Sequence, residues 1–151
     1  MFHRRKYHVF ISYRHKDGKE RASLVLRILE KKIPSRKIFL DVGSLSAGDY
    51  SYKLKKALSD SKYMVLLITP CSFETRKGRD FYLEGIEFAL ENKIPIIPVL
   101  FTEWELSEEH LPPILKGKSF LLQQQIRYNH EYEAAFEEKL RSYVAIGNPL
   151  W

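Results

Sequence analysis

Short apolar runs alternate with amphipathic helical stripes along most of this chain, and that alternation limits the possible folds more than any other feature. Residues 7–13 (YHVFISY), 37–41 (KIFLD), 63–69 (YMVLLIT) and 96–101 (IIPVLF) are β-rich. Between them the apolar residues recur at helical spacing. Residues 19–33 place Ala22, Val25, Leu26 and Leu29 on one stripe, and Pro34 stops it. Residues 50–60 place Tyr50, Leu54 and Leu58 on one face, and residues 80–91 read as a third helix. Residues 42–49 contain Gly43 and Gly48 and read as a loop. Further on, residues 103–117 carry Pro112 and Pro113 and read as loop with a short helix. Residues 119–122 are a candidate fifth, edge-like strand. Residues 130–144 form a closing helix with Tyr132, Ala135, Phe136, Leu140 and Tyr143 as its stripe.

Strands separated by helices pair in parallel, with helices packed on both faces of the sheet. Right-handed crossovers leave few topologies. Five strands in this length predict an α/β, flavodoxin-like three-layer fold. Its five-stranded parallel sheet has the order 2-1-3-4-5. The 151 residues suit one domain, spanning 1–151 with a core of about 7–145, and no linker divides them. Ligands of such sheets bind outside the carboxyl ends of the strands, near the switch between strands 1 and 3. Residues 12–17, 41–50, 70–73 and the start of the helix at 80–91 should therefore surround one crevice.

Composition removes several classes of function. The longest apolar run falls far short of the roughly 20 residues a membrane-spanning helix needs. No apolar leader follows Met1, which predicts a cytoplasmic protein with no membrane partner. The single cysteine, Cys71, excludes an internal disulfide and a multi-cysteine zinc site. Cys71 itself reads as an inert small residue at the crevice rim. The five histidines lack metal-ligand spacing, so no metal is expected. With 25 Lys and Arg against 19 Asp and Glu the net charge is +6, which admits an anionic partner. The basic residues are dispersed and no nucleic-acid-binding signature is present, so no nucleic acid is expected. GxGxxG, GxxxxGK[ST] and GxSxG motifs are all missing.

What remains at the crevice is cationic and polar. Arg14, His15 and Lys16 follow the first strand and can attract an anion. Asp41 ends the second strand and can accept bonds from sugar hydroxyls. Glu84 and Glu87 lie near the start of the third helix, three residues apart and on one face. A carboxylate there can grip a ribose and stabilise an oxocarbenium-like centre when a glycosidic bond breaks. The nicotinamide–ribose bond of NAD⁺ is one such bond.

Specific segments carry a family resemblance over nearly the whole chain. Residues 7–14 (YHVFISYR) match the first box of the TIR (Toll/interleukin-1 receptor) domain. Residues 39–50 (FLDVGSLSAGDY) resemble the end of that family's second strand and the BB loop after it. Residues 64–72 (MVLLITPCS), 86–101 (IEFALENKIPIIPVLF) and 129–135 (NHEYEAA) resemble its third-strand box, a following helix and strand, and part of its last helix. The chain looks most like stand-alone bacterial TIR proteins and the TIR domain of the animal axon-degeneration NADase.

The resemblance implies cleavage of NAD⁺, with NAD⁺ as substrate and no cofactor. Nicotinamide leaves, and ADP-ribose, a cyclic isomer or a related signal forms for a downstream effector, in bacteria often in anti-phage defence. It also implies self-association through TIR–TIR contacts that complete the site. Carried over residue by residue, Ser12 and Arg14 belong to the loop that holds phosphate and ribose, Asp41 is the acid of the second strand, and Leu45 and Tyr50 are BB-loop positions. The family's catalytic glutamate lies in a W-x-x-x-E pattern. Here Phe81 replaces the tryptophan and Glu84 follows it by three residues, while an ungapped alignment puts Gly85 at the glutamate's position. Glu84 is the catalytic candidate, with Glu87 as its companion. The alternatives are a TIR–TIR module without turnover, and a different glycosidic enzyme of the nucleoside deoxyribosyltransferase kind.

Overall fold

The strands read as unbroken apolar runs because both of their faces are covered. Successive side chains of a strand point to opposite faces, and each run divides accordingly. Val9 and Ile11, Val65 and Leu67, and Ile97 and Val99 join one buried cluster. Phe10, Met64, Leu66, Ile68, Ile96 and Leu100 join the other. The computed structural model describes residues 5–41, 47–118 and 125–144. Its strands are β1 (Tyr7–Ser12), β2 (Ile38–Leu40), β3 (Ser61–Ile68), β4 (Ile96–Leu100) and β5 (Ile126–Arg127). They form one five-stranded sheet in the order β2-β1-β3-β4-β5. Every pairing is parallel, with Phe10 opposite Phe39 and Met64, and Leu66 opposite Pro98. The flavodoxin-like order expected from the alternation is the observed one.

Among the described residues four α-helices cover the sheet: α1 (Lys19–Glu30), α2 (Ala47–Ser59), α3 (Phe81–Glu91) and α4 (Glu133–Tyr143). Val25 and Leu29 of α1 pack with Phe136 and Leu140 of α4 in the first cluster. Leu54 and Leu58 of α2 pack with Ile86 and Ala89 of α3 in the second. Each amphipathic stripe thus meets one face of the sheet, which is how most helix stability arises in proteins. Among the described residues no helix is long and apolar enough to cross a membrane.

Several boundaries differ from the sequence expectation, each for a local reason. β3 begins at Ser61 rather than Tyr63, and the Ser61 hydroxyl donates to the Ala57 carbonyl at 2.7 Å, tying the strand to the last turns of α2. α2 begins at Ala47, three residues inside the expected loop. The closing segment opens with a 3₁₀ turn at His130–Tyr132 before α4, and Asn129 caps it by accepting the Glu131 N–H. Residues 103–117 hold two 3₁₀ turns, Glu108–His110 and Pro113–Leu115. The fifth strand expected at 119–122 lies outside the described residues. β5 is only two residues long, pairing with Val99 and Leu100, and an element that short has no periodicity to read.

The loop after β1 is set by a close approach. The Gly18 N–H donates to the Arg14 carbonyl at 2.8 Å, and a Cβ on Gly18 would sit 2.6 Å from that oxygen. Only glycine fits there. This tight turn folds residues 13–17 over the carboxyl end of the sheet.

Candidate functional site

A cavity of about 350 Å³ opens at the carboxyl ends of β1, β2 and β3. Tyr13, Arg14, His15 and Lys16 of the β1–α1 loop form one wall. Asp41 and Tyr50 form a second. Arg76, Arg79, Phe81 and Tyr82, from the β3–α3 connection and the start of α3, form the third. The β1–α1 loop, the region around Asp41, and α3 therefore meet as topology predicts.

Arg14 lies deeper than an anion receptor should. It is 2% exposed, and its Nη1 and Nη2 donate to the two carboxylate oxygens of Asp80 at 2.6 and 2.7 Å. Its Nε donates to the Ser72 carbonyl at 2.7 Å, and its guanidinium lies 4.4 Å over the Tyr82 ring. Arg14 lines the cavity, as expected of a binding residue, but with its charge already paired. Asp80 neutralises it and holds it in the cavity floor. Asp80 also caps α3, accepting the Leu83 N–H at 3.2 Å. Ser12, also buried, ends β1 beneath this floor.

Two partly buried carboxyls near the cavity, Asp80 and Asp17, resist protonation. Burial would raise the Asp80 carboxyl, but its bonds from Arg14 and Leu83 and the charges of Arg14 and Arg76 outweigh that and hold it below the usual carboxylate value. Asp17 behaves alike. Burial raises it, yet its bonds from the Thr69 hydroxyl at 2.7 Å and the Cys71 N–H at 3.0 Å win, and it too is lowered. Both groups take up protons more readily in the unfolded chain, near pH ~3.9. Their stabilisation is thus fully present above that pH and is lost as pH falls through their lowered native values. Urea midpoints are expected to show no loss from these two groups between pH 7 and 5 and a fall below pH ~4.

The second wall is a hydrogen-bonded pair. The Tyr50 hydroxyl donates to Asp41 Oδ1, and His15 Nε2 donates to the Asp41 carbonyl at 3.0 Å. Burial and then the Asp41 carboxylate raise the Tyr50 phenol well above its ordinary value, so it stays a neutral donor. Tyr50 also meets the Phe81 ring edge-on at 4.6 Å. Asp41 and Tyr50 thus come together as expected. Leu45 and Gly43 lie outside the described residues.

Glu84 stands beside the cavity and does not line it; the side chain that does is Arg79. Arg79 Nη2 donates to Glu84 Oε1 at 2.5 Å, and its Nε donates to Oε2 at 3.0 Å. Nη2 also reaches Ser51 Oγ on α2 at 3.2 Å, and the guanidinium lies 4.9 Å over the Phe81 ring. Gly78, at φ +79°, turns the chain immediately before Arg79. The companion residue Glu87 faces elsewhere, lining a separate surface cavity with Leu90, Glu91, Ile114 and Lys118. Lys16 is also engaged, donating to Glu74 at 3.0 Å. The Cys71 thiol is raised, first by desolvation and then by Asp17 and Glu74, which opposes nucleophilic use.

A family model described as the TIR domain matches residues 9–141. The chain belongs to the TIR domain family. Within longer proteins, this TIR domain is 27% identical to the NAD(+) hydrolase tir-1 of Caenorhabditis elegans over 142 residues, covering 90% of this chain and 14% of that protein. It is 28% identical to the NAD(+) hydrolase SARM1 of Danio rerio over 144 residues, covering 90% of this chain and 19% of the relative. The chain thus spans under one fifth of either relative's length. Among solved structures, the TIR domain of the Toll-related receptor TRR-2 from Hydra magnipapillata superposes with a TM-score of 0.65 at 17% identity, covering 92% of this chain and 98% of the other. The CMP N-glycosidase BcmB of Clostridium botulinum shares the fold at a TM-score of 0.54 and 15% identity, covering 89% and 98%.

The register question around Gly85 has a structural answer. A Cβ on Gly85 of this TIR domain would meet Met64 Cε at 3.6 Å, Leu58 Cδ1 at 3.7 Å and Leu54 Cδ2 at 3.9 Å. Position 85 faces the apolar core between α2, α3 and the sheet, so a carboxylate there would be buried among hydrocarbon. One residue earlier, a rotation of about 100° brings Glu84 to the cavity side. Gly85→Ala fits ordinary contacts and removes a helix-interior glycine. It is expected to stabilise the domain by about 0.5–1 kcal/mol, read as a raised urea midpoint.

Arg76 and Arg79 were missed by the sequence reading, because a loop arginine carries no periodic signal. Asp80 was missed as well, although an aspartate immediately before an apolar helical run is an N-cap signature that could have found it. Trp104 stacks on His110 at 4.2 Å and borders a second cavity of about 730 Å³ with Arg21, Phe101 and Tyr128.

Proposed function

We propose that this TIR domain cleaves the nicotinamide–ribose bond of NAD⁺ in the cavity at the carboxyl ends of β1–β3. The observation that carries the reading is Glu84, a carboxylate at the start of α3, paired to an arginine of the cavity wall. Similarity to parts of two NAD(+) hydrolases supports the same chemistry. The site offers the required groups. Asp41, bonded by Tyr50, accepts from ribose hydroxyls. The rings of Phe81 and Tyr50, set edge to face, give the cavity an aromatic wall against which the nicotinamide ring packs. Arg79 and Arg76 answer the pyrophosphate.

In the reaction the C1′–N bond breaks with its electron pair moving to the ring nitrogen, which neutralises the pyridinium. Positive charge develops on the ribose as an oxocarbenium, and the Glu84 carboxylate stabilises it. Water adds at C1′ and releases a proton, giving ADP-ribose. Attack on C1′ by a nitrogen of the adenine ring in place of water gives a cyclic product. NAD⁺ is substrate, and the scheme needs no resident cofactor.

The wider proposal follows the family resemblance. The chain acts as one module with a core of about 7–145. It works in the cytoplasm and self-associates through TIR–TIR contacts. Its nucleotide product signals to a downstream effector, in anti-phage defence. The rival reading is a TIR–TIR scaffold without turnover, drawn from Gly85 at the expected catalytic position; the contacts of that position with Met64, Leu58 and Leu54 support Glu84 over residue 85 as the acting group.

The test incubates concentrated protein with NAD⁺ and separates nicotinamide, ADP-ribose and cyclic products by chromatography, with a panel of nucleosides and CMP alongside. Nicotinamide released in step with NAD⁺ loss is the expected result. NAD⁺ left intact after hours in crowded protein would overturn the proposal, and cleavage of nucleosides or CMP instead would replace it with another glycosidase.

A further inference from the structure

We propose that Arg79 recognises the substrate's phosphate and also restrains Glu84, so that a phosphate-bearing substrate frees the carboxylate that acts on it. This rests on the NAD⁺-cleaving reading above, and it adds a specificity-determining residue and a substrate requirement.

Three observations lead to it. First, both oxygens of Glu84 are occupied by one guanidinium, at 2.5 and 3.0 Å. A carboxylate held that way is neutralised and has its lone pairs engaged, so it neither grips a ribose hydroxyl nor stabilises a cation. The pair must open for Glu84 to work. Second, two of the cavity's other cations are committed, which leaves Arg76 beside Arg79 as an exposed arginine of the wall. Arg14 spends Nε, Nη1 and Nη2 on Ser72 and Asp80 at 2% exposure, and Lys16 pairs with Glu74. Arg79 lines the cavity and is half exposed. Third, a guanidinium fork fits carboxylate and phosphate alike.

An ion pair this exposed is weak in water, so a more highly charged anion can displace it. The Phe81 ring, 4.9 Å beneath the guanidinium, gives Arg79 a surface to move across. A nucleoside without phosphate offers no group that competes for Arg79, so it cannot shift the equilibrium toward the open pair. Discrimination between dinucleotide and nucleoside then arises at Arg79 and is expressed through Glu84. The Nη2 bond to Ser51 would break in the same step, uncoupling α2 from the β3–α3 loop.

The test compares wild type, Arg79→Gln and Glu84→Gln. Thermal midpoints come first, and they are expected to be close to wild type for Arg79→Gln because the side chain is exposed. Calorimetry with inorganic pyrophosphate reads the anion site without any turnover. Arg79→Gln is expected to weaken binding about 10–100-fold, the loss of charge-assisted bonds. Glu84→Gln is expected to tighten it, because the competing carboxylate is gone. Equal affinity in all three proteins overturns the proposal. With NAD⁺, Arg79→Gln is expected to lower kcat/KM mainly through KM. With nicotinamide riboside, which has the same scissile bond and no phosphate, it is expected to raise kcat/KM. A merely structural arginine would depress both substrates alike, and that outcome also overturns the proposal. Wild-type protein that binds pyrophosphate as expected yet leaves NAD⁺ intact defeats the catalytic reading and leaves the anion site standing.

Discussion

Asp80→Asn is expected to cost this TIR domain about 3–5 kcal/mol, the usual cost of leaving a buried charge without its partner. Asparagine caps a helix about as well as aspartate, so the N-terminus of α3 stays satisfied and the loss isolates the ion pair. Arg14 is 2% exposed and Asp80 15%. The asymmetry predicts an order. Removing Asp80 strands a guanidinium that water barely reaches, whereas Arg14→Met strands a carboxylate that water reaches more readily. Arg14→Met should therefore cost less, about 1–3 kcal/mol. The double variant, Arg14→Met with Asp80→Asn, should recover part of the loss, since neither charge remains to be desolvated. Urea unfolding at pH 7 with a double-mutant cycle measures all three. An Asp80→Asn midpoint at the wild-type value would show that the pair does not carry the cavity floor.

Glu84→Gln is expected to lower NAD⁺ turnover by about 10²–10³, the usual effect of losing one charge-stabilising group. The substitution keeps size and hydrogen-bonding capacity and removes only the negative charge that opposes the oxocarbenium. Glu87→Gln is the internal control, because that side chain borders a different cavity, and its rate should match wild type. Nicotinamide release under identical loading measures both. A Glu84→Gln rate equal to wild type would remove this residue from the mechanism. A Glu87→Gln loss of similar size would move the reacting centre to the other side of α3.

Much of the fold was legible because both signals that specify it are local. The apolar runs in β1, β3 and β4 and the stripes of α1 to α4 follow from residue spacing, and parallel pairing follows from the helices between the strands. β5 was not legible, since two residues carry no period. The start of α2 at Ala47 lay inside a glycine-containing stretch that reads as loop. At the site, the sequence brought residues 12–17, 41–50 and the start of α3 to one crevice, but it did not show that Arg14 is paired, and it omitted Arg79.

The residue pattern alone determined the α/β class, the strand order, the crevice and the family, because burial demands impose periodicity on every element that meets the core. Only the tertiary structure decided which charges are available. Whether an arginine is a receptor or a structural cation depends on the carboxylate it meets across the chain, and Asp80 lies 66 positions from Arg14. In the same way, packing between α2 and α3 turned Gly85 to hydrocarbon and left Glu84 on the side of the cavity. Pair formation over such separations leaves no periodic trace in a single sequence, so the site's electrostatics appear only once the sheet has closed.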